Sequence, residues 1–201
     1  MRKFIVFLFI LTALPIAAQE SKAVKDALKF QNNLNKEFAN KQKSPLTEED
    51  FKTFEAVDFF PIDTNYRVVA KLKFFKDSKT FKMKTTTDRL PEYKIYASAT
   101  FEINGKEYML HIYQNQKLLL NTDYENYLFL PFTDKTNGET TYGGGRYIDL
   151  NIPKGNTIII DFNQAYNPYC AYNHKYSCPI PPSANNLDIA INAGVKAFEK
   201  H

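Results

Sequence analysis

The sequence predicts a mainly β protein of the α+β class: an antiparallel β-barrel or sandwich of about seven strands, with N-terminal helices and a C-terminal helix. Short segments in which apolar and polar residues alternate recur along the middle of the chain, and period-two alternation indicates strands. The chain contains 17 Phe and 13 Tyr among 201 residues, and aromatic residues favour strands. Only seven glycines and ten prolines are present, which excludes collagen and low-complexity arrays.

A secretory signal peptide is predicted at the start of the chain. Arg2 and Lys3 supply a positive beginning, and the run from Phe4 to Leu14 is apolar. Small residues then surround a cleavage position after Ala18 or Gln19, as a signal peptidase requires. A short membrane anchor is the alternative, although the apolar run is short for a bilayer.

Removal of residues 1–18 takes away two basic residues and lowers the formal net charge from +4 to +2. A nearly neutral chain argues against nucleic acid as a partner. No other apolar stretch is long enough to cross a bilayer, so stable membrane insertion is not expected. We therefore expect a periplasmic or secreted protein in which residues 19–201 form one domain, and the sequence makes no prediction about its oligomeric state.

Two helices are predicted before the strands. Residues from Ser21 to Asn40 place Ala27, Leu34 and other apolar residues near one helical face. Thr47 precedes three acidic residues, and a threonine N-cap followed by acidic residues in the first turn begins a helix favourably.

Seven strands are predicted next, and two of them flank Asn104-Gly105, which is a strong hairpin signal. The predicted strands are Tyr66–Phe75, Thr80–Thr87, Glu92–Ile103, Lys106–Gln114, Tyr127–Phe132, Tyr147–Ile152 and Thr157–Phe162.

The end of the chain is predicted to contain a long loop and a helix. Residues 163–183 lack periodicity and hold both cysteines, and loops of this length are often functional. Residues 185–200 are predicted to form a closing helix, because Leu187, Ile191 and Val195 recur at helical spacing.

The first candidate site is the glycine-rich segment 141–150. Gly143, Gly144 and Gly145 are adjacent and allow close approach of a ligand. Arg146 could bind a carboxylate or phosphate as a bidentate clamp, with Tyr142 and Asp149 beside it. The alternative is a bulge or tight turn in which Arg146 pairs with Asp149 or Asp161. The segment lacks the ending of a nucleotide-binding P-loop.

The second candidate site is the loop that follows the strand at Thr157. Asp161, Asn163, Tyr166 and Tyr172 are polar or amphipathic side chains at a strand end, where binding groups are common. Asx-turns made by asparagine side chains are the structural alternative.

The two cysteines, Cys170 and Cys178, are predicted to form a disulfide, as in most exported proteins. The alternatives are zinc ligation together with His174, or a nucleophile activated by His174 or His111. Neither spacing matches a common motif, so we predict no metal and no cofactor.

At these segments the chain resembles a bacterial domain-of-unknown-function family named only by a number. The resemblance implies a single domain, often exported in Bacteroidota, without an assigned activity. It also implies that both cysteines occur in members without a signal peptide, and that His174 lies in a variable stretch. The matching segments are Ser44–Thr47, Phe59–Val68, Leu130–Thr136, Thr141–Tyr147, Asp161–Tyr172, Cys178–Pro182, Asn186–Leu187 and Ala193–Gly194.

Three functions follow from these patterns. The first is a module that binds a small molecule, with an anion held by Arg146 as one candidate. The second is a hydrolase-type enzyme that uses Cys170 or Asp161 in the same pocket. The third is a structural or interaction domain in which these residues only stabilise the long loop.

Overall fold

The computed structural model describes residues 13–198, with the side chains of residues 22–198. The signal-peptide prediction for residues 1–18 therefore lies largely outside the described residues and stays a prediction. Within them, none of the helices combines the length and the apolar character of a membrane span.

Two helices precede the sheet. Helix α1 covers Ala13–Phe38 and helix α2 covers Glu48–Thr53. The predicted N-cap is confirmed, because Thr47 Oγ1 accepts a hydrogen bond from the Asp50 amide at 3.1 Å. Apolar side chains at the end of α1 pack with α2 and the chain end around Phe38.

One antiparallel sheet, curled into a half-barrel, forms the body of the protein. Its strand order is β6-β5-β4-β3-β1-β7, with the short β2 paired to β3. The predicted mainly β, α+β class is confirmed. The strands are β1 Arg67–Phe74, β2 Phe81–Lys82, β3 Glu92–Ile103, β4 Lys106–Asn115, β5 Tyr127–Phe132, β6 Arg146–Asn151 and β7 Thr157–Asp161.

The hairpin between β3 and β4 turns at Asn104-Gly105, as predicted. Both residues have positive φ, 53° and 75°, which is the backbone of a type I′ turn.

The two faces of the sheet carry different residues. Leu128 and Leu130 of β5 enter the large aliphatic core, whereas Phe129 between them joins an aromatic cluster on the opposite face. A bulge in β3 after Ile95 shifts the register. Because side chains alternate between faces, the bulge places Tyr93 on the aromatic face and Phe101 in the aliphatic core.

The predicted closing helix at 185–200 is wrong over the described residues. Beyond a 3-10 turn that ends at Asn185, residues 186–198 form no helix, and their backbone bonds to distant segments, for example Leu187 N–H to Thr133 O at 2.8 Å. Gly194 has φ +78°, which a helix does not accommodate. Leu187 and Ile191 have helical spacing but insert separately into the sheet core.

Candidate functional site

A cavity of about 1280 Å³ lies on the aromatic face of the sheet. Helix α1 forms one wall through Phe30 and Glu37, and strands β3 to β6 form the floor. The segment that contains Tyr176 and Cys178 supplies a further wall. Three elements distant in sequence therefore enclose a volume large enough for a drug-sized molecule.

Aromatic rings cover the floor of the cavity. Phe129 of β5 and Tyr147 of β6 pack edge to face, with ring centroids 4.7 Å apart. Tyr147 and Tyr166 meet at 5.9 Å with nearly perpendicular planes. Tyr127 and Phe129 alternate with leucines in β5, and Tyr147 precedes Ile148 in β6, so these three aromatic side chains lie on this face of the sheet.

Asp149 is the polar centre of this floor. Strand β6 places it opposite Phe129 in the register with β5. The hydroxyls of Tyr127 and Tyr166 each donate to Asp149 Oδ1 at 2.8 Å. The carboxylate is accessible from the cavity, yet protein surrounds it on most sides, and this desolvation raises its pKa above the ordinary value.

The two tyrosines of this centre remain protonated donors. Desolvation and the neighbouring Asp149 raise the pKa values of Tyr127 and Tyr166 far above the ordinary tyrosine value. Asp149, Tyr127 and Tyr166 therefore form one hydrogen-bonded unit with a carboxylate open to the cavity.

Helix α1 is fixed across the cavity by polar contacts with later parts of the chain. The Tyr169 hydroxyl donates to Glu37, and the Val57 amide donates to Asn35 at 2.8 Å. Arg67 of β1 contacts Asp26 of α1 at 3.2 Å and Asp161 at 2.8 Å. These contacts hold Phe30 and Glu37 over the floor.

The two cysteines lie side by side beneath one wall of the cavity. Both are buried free thiols in the structure, and the Cys170 amide donates to Cys178 Sγ at 3.1 Å. The hydrogen bond from Cys178, with further donors such as the Tyr142 hydroxyl, lowers the pKa of Cys170 to about 6. The same interaction raises the pKa of Cys178. The disulfide stays a prediction, with the two residues already in contact.

Arg146 does not reach the cavity. Its side chain is fully buried and pairs with Asp134, with Nη2 and Oδ2 2.8 Å apart. Its guanidinium also donates to the carbonyls of Ile191 and Ala193. The structure therefore gives Arg146 a structural ion pair, as the turn alternative required, but with Asp134 in place of Asp149 or Asp161.

Asp161, Asn163 and Tyr172 also have structural surroundings. Asp161 pairs with Arg67 and accepts the Asn163 amide at 3.1 Å. The Asn163 side chain bonds both the amide and the carbonyl of Asp63 at 2.9 Å. Tyr172 is buried against Phe38, with ring centroids 4.8 Å apart. These side chains stabilise the loop after β7 and do not line the cavity.

Of the predicted site residues, the structure brings together Asp149 and Tyr166 at the cavity floor, and Tyr142 with the cysteines. Tyr127, Phe129 and Glu37 were not predicted as site residues. Tyr127 and Phe129 could have been found from the sequence, because they alternate with leucines in a predicted strand and therefore share one face of the sheet. Over residues 22–198, no three His, Cys, Asp or Glu side chains are grouped as metal ligands, so Cys170, His174 and Cys178 do not form the zinc site considered above.

Comparisons with known proteins extend over most of the chain. A family model described as "Protein of unknown function (DUF1684)" matches residues 52–196. A solution NMR structure of an uncharacterized protein from Haloarcula marismortui is similar, with 31% identity and a TM-score of 0.71. That match covers 91% of this chain and 99% of the other. No curated protein matches.

Proposed function

Because the chain belongs to the DUF1684 family of proteins of unknown function, we propose a function from its own geometry: it binds a small molecule in the cavity on the aromatic face of the sheet. The observation that carries this proposal is the Asp149 carboxylate, held by Tyr127 and Tyr166 and open to a cavity of about 1280 Å³. Large apolar pockets with a few convergent polar groups are typical of ligand sites.

The energetics of the cavity support binding over a purely structural role. A partly desolvated carboxylate without a cation costs stability, and within the described residues no Lys or Arg pairs with Asp149. A structural domain gains nothing from this cost, whereas a binding site can recover it when a ligand enters.

The cavity mouth supports entry of a partly apolar ligand. Leu90 and Leu120 lie on its lining and are 49% and 87% exposed. Exposed apolar side chains at a concave surface are typical of interaction sites.

Binding is tested with the neutral dye N-phenyl-1-naphthylamine, whose fluorescence rises in apolar surroundings. Asn33 of α1 lines the cavity and its neighbour Asn32 does not, although both are exposed. We expect dye fluorescence to rise with the natural protein and with Asn32→Trp, and to fall sharply with Asn33→Trp, because the indole fills the entrance. Absence of a signal with the natural protein, or equal signals for the two variants, would contradict the proposal.

Export to the periplasm or beyond the cell is part of the same proposal. The basic start, the apolar run and the small residues before Gln19 support it. Mass spectrometry of protein from the periplasmic fraction is expected to find a chain that begins near residue 19. A cytosolic chain that retains Arg2 and Lys3 would argue against export.

A further inference from the structure

We propose that the ligand of this cavity carries a positive charge, an amine or quaternary ammonium group, that lies against Asp149 and the surrounding aromatic rings. The inference rests on the proposed function and names the chemical class of its ligand.

The hydrogen bonding of Asp149 leaves a vacant position for a cation. Both tyrosine hydroxyls donate to Oδ1 at 2.8 Å, and among the described residues no donor bonds Oδ2. A carboxylate oxygen accepts two hydrogen bonds. An ammonium group at Oδ2 would supply both the missing donor and the opposite charge.

The charges around the cavity favour the same sign of ligand. Glu37 also lines the cavity, and its negative charge adds to that of Asp149. Arg89 and Lys117 are the basic residues on the described lining. Arg89 is bound to Ser177, with Nη2 2.7 Å from the carbonyl and Nε 3.0 Å from the hydroxyl oxygen. Neither basic residue pairs with Asp149, so no cation among the described residues neutralises the carboxylate.

The aromatic rings around Asp149 provide a second attraction for a cation. Phe129, Tyr147 and Tyr166 all line the cavity, and the plane of Tyr147 stands at 73° to Phe129 and at 89° to Tyr166. Ring faces carry partial negative charge and bind cations, and quaternary ammonium groups above all. A carboxylate with two hydroxyl donors and several ring faces matches the shape and charge of such a group.

The competing ligand classes fit less well. An anion at the floor would be repelled by Asp149 and Glu37, and neither Arg89 nor Lys117 forms an ion pair with Asp149 among the described residues. A neutral alcohol or sugar would donate a hydrogen bond to Oδ2 but leave the carboxylate charge without a partner. The experiment compares probes of all three ligand classes.

The test uses probes of similar size and different charge: benzylamine, benzyltrimethylammonium, benzyl alcohol and benzoate. Each is titrated against protein loaded with N-phenyl-1-naphthylamine at neutral pH, and the displacement constant is measured. We expect both cations to displace the dye about tenfold more effectively than benzyl alcohol, and benzoate to be the weakest. Asp149→Asn is expected to remove the preference for cations over benzyl alcohol, because the neutral amide lacks the negative charge while its oxygen still accepts from both tyrosines.

Asp188→Asn is the matched control, since Asp188 is an exposed carboxylate outside the cavity lining. Dye binding with equal displacement by all four probes, stronger displacement by benzoate, or no displacement by either cation would overturn the cationic ligand and leave the proposed function standing. Absence of dye binding in the natural protein would contradict the proposed function itself.

Discussion

Arg146 and Asp134 form an ion pair in which both side chains are completely buried, with Nη2 2.8 Å from Oδ2. Two further guanidinium contacts reach the carbonyls of Ile191 and Ala193. Asp134 Oδ1 in turn accepts the Ile191 amide at 3.2 Å. One arginine therefore attaches residues 191–193 to strand β6.

Removal of Arg146 is expected to destabilise the fold severely. Arg146→Met leaves the Asp134 carboxylate buried without its partner, which costs about 3–5 kcal/mol. Denaturant unfolding measures this cost. Lys135→Met is the control, because Lys135 pairs with Asp188 on the surface, and an exposed ion pair contributes little to stability. Similar losses for the two variants would show that the buried pair is not the main attachment.

Gly194→Ala is expected to weaken the same attachment. Gly194 has φ +78°, and a Cβ there would lie 2.5 Å from the carbonyl oxygen of Ala165. The strained backbone and the clash together predict a loss of about 1–3 kcal/mol in unfolding free energy. Gly155→Ala provides the comparison, because a Cβ at Gly155 meets nothing within 4 Å. If Gly194→Ala lowered the Tm no more than Gly155→Ala does, this account of the chain end would be contradicted.

Asp149→Asn is expected to stabilise the protein at neutral pH and to have little effect in acid. Desolvation raises the Asp149 pKa in the folded state above its ordinary value of 3.8. The folded protein therefore keeps this proton at pH values where the unfolded chain has lost it, and stability falls as pH rises through that window. The variant avoids this loss, so its advantage in Tm should grow as pH rises above the ordinary aspartate pKa of 3.8.

Asp188→Asn should behave in the opposite way. The Lys135 ammonium lowers the pKa of Asp188, so the stability that its charge contributes is present at neutral pH and is lost as pH falls through the lowered pKa. Thermal unfolding of both variants across the same pH range tests the two signs together. A difference in Tm between Asp149→Asn and the natural protein that stays the same at every pH would exclude a desolvated carboxylate at the cavity floor.

Cys170 and Cys178 are expected to form a disulfide when oxidised glutathione is added. Each bond formed removes one hydrogen from each thiol and reduces one glutathione disulfide to two thiols. Closure of this short loop should stabilise the fold by about 2–3 kcal/mol. Intact-mass measurement and a thiol count follow the reaction, and Cys170→Ser is the control that cannot close the loop. Two thiols that persist under oxidant would argue against the disulfide.

Local sequence patterns predicted the sheet well, because each strand has its own signal. The Asn104-Gly105 turn and the alternation from Tyr127 to Phe132 are complete within a few residues. The chain end was mispredicted because its spacing, Leu187 and then Ile191, satisfies a helix and an extended segment equally. Backbone bonds to Thr133 decide between the two, and such long-range pairing has no local signature.

The candidate site was predicted only in part, because it also depends on long-range pairing. Asp149 and Tyr166 belong to the segments chosen from the sequence, yet their hydrogen bond depends on strand pairing that the sequence alone does not display. Arg146 follows three glycines, which is a local sequence expected of an anion-binding residue. Only the fold shows that Asp134 lies beside it and forms its ion pair. A charged side chain next to glycines therefore indicates close packing as readily as ligand contact.

The contact between Glu37 and Tyr169 joins residues 132 positions apart and has a consequence for folding. Synthesis produces α1 first, whereas Tyr169 follows much later. This contact can therefore form only when nearly the whole chain is available, and contacts of such high sequence separation form slowly. We expect docking of α1 to come after the rate-limiting step, so that weakening this contact accelerates unfolding while refolding keeps its speed.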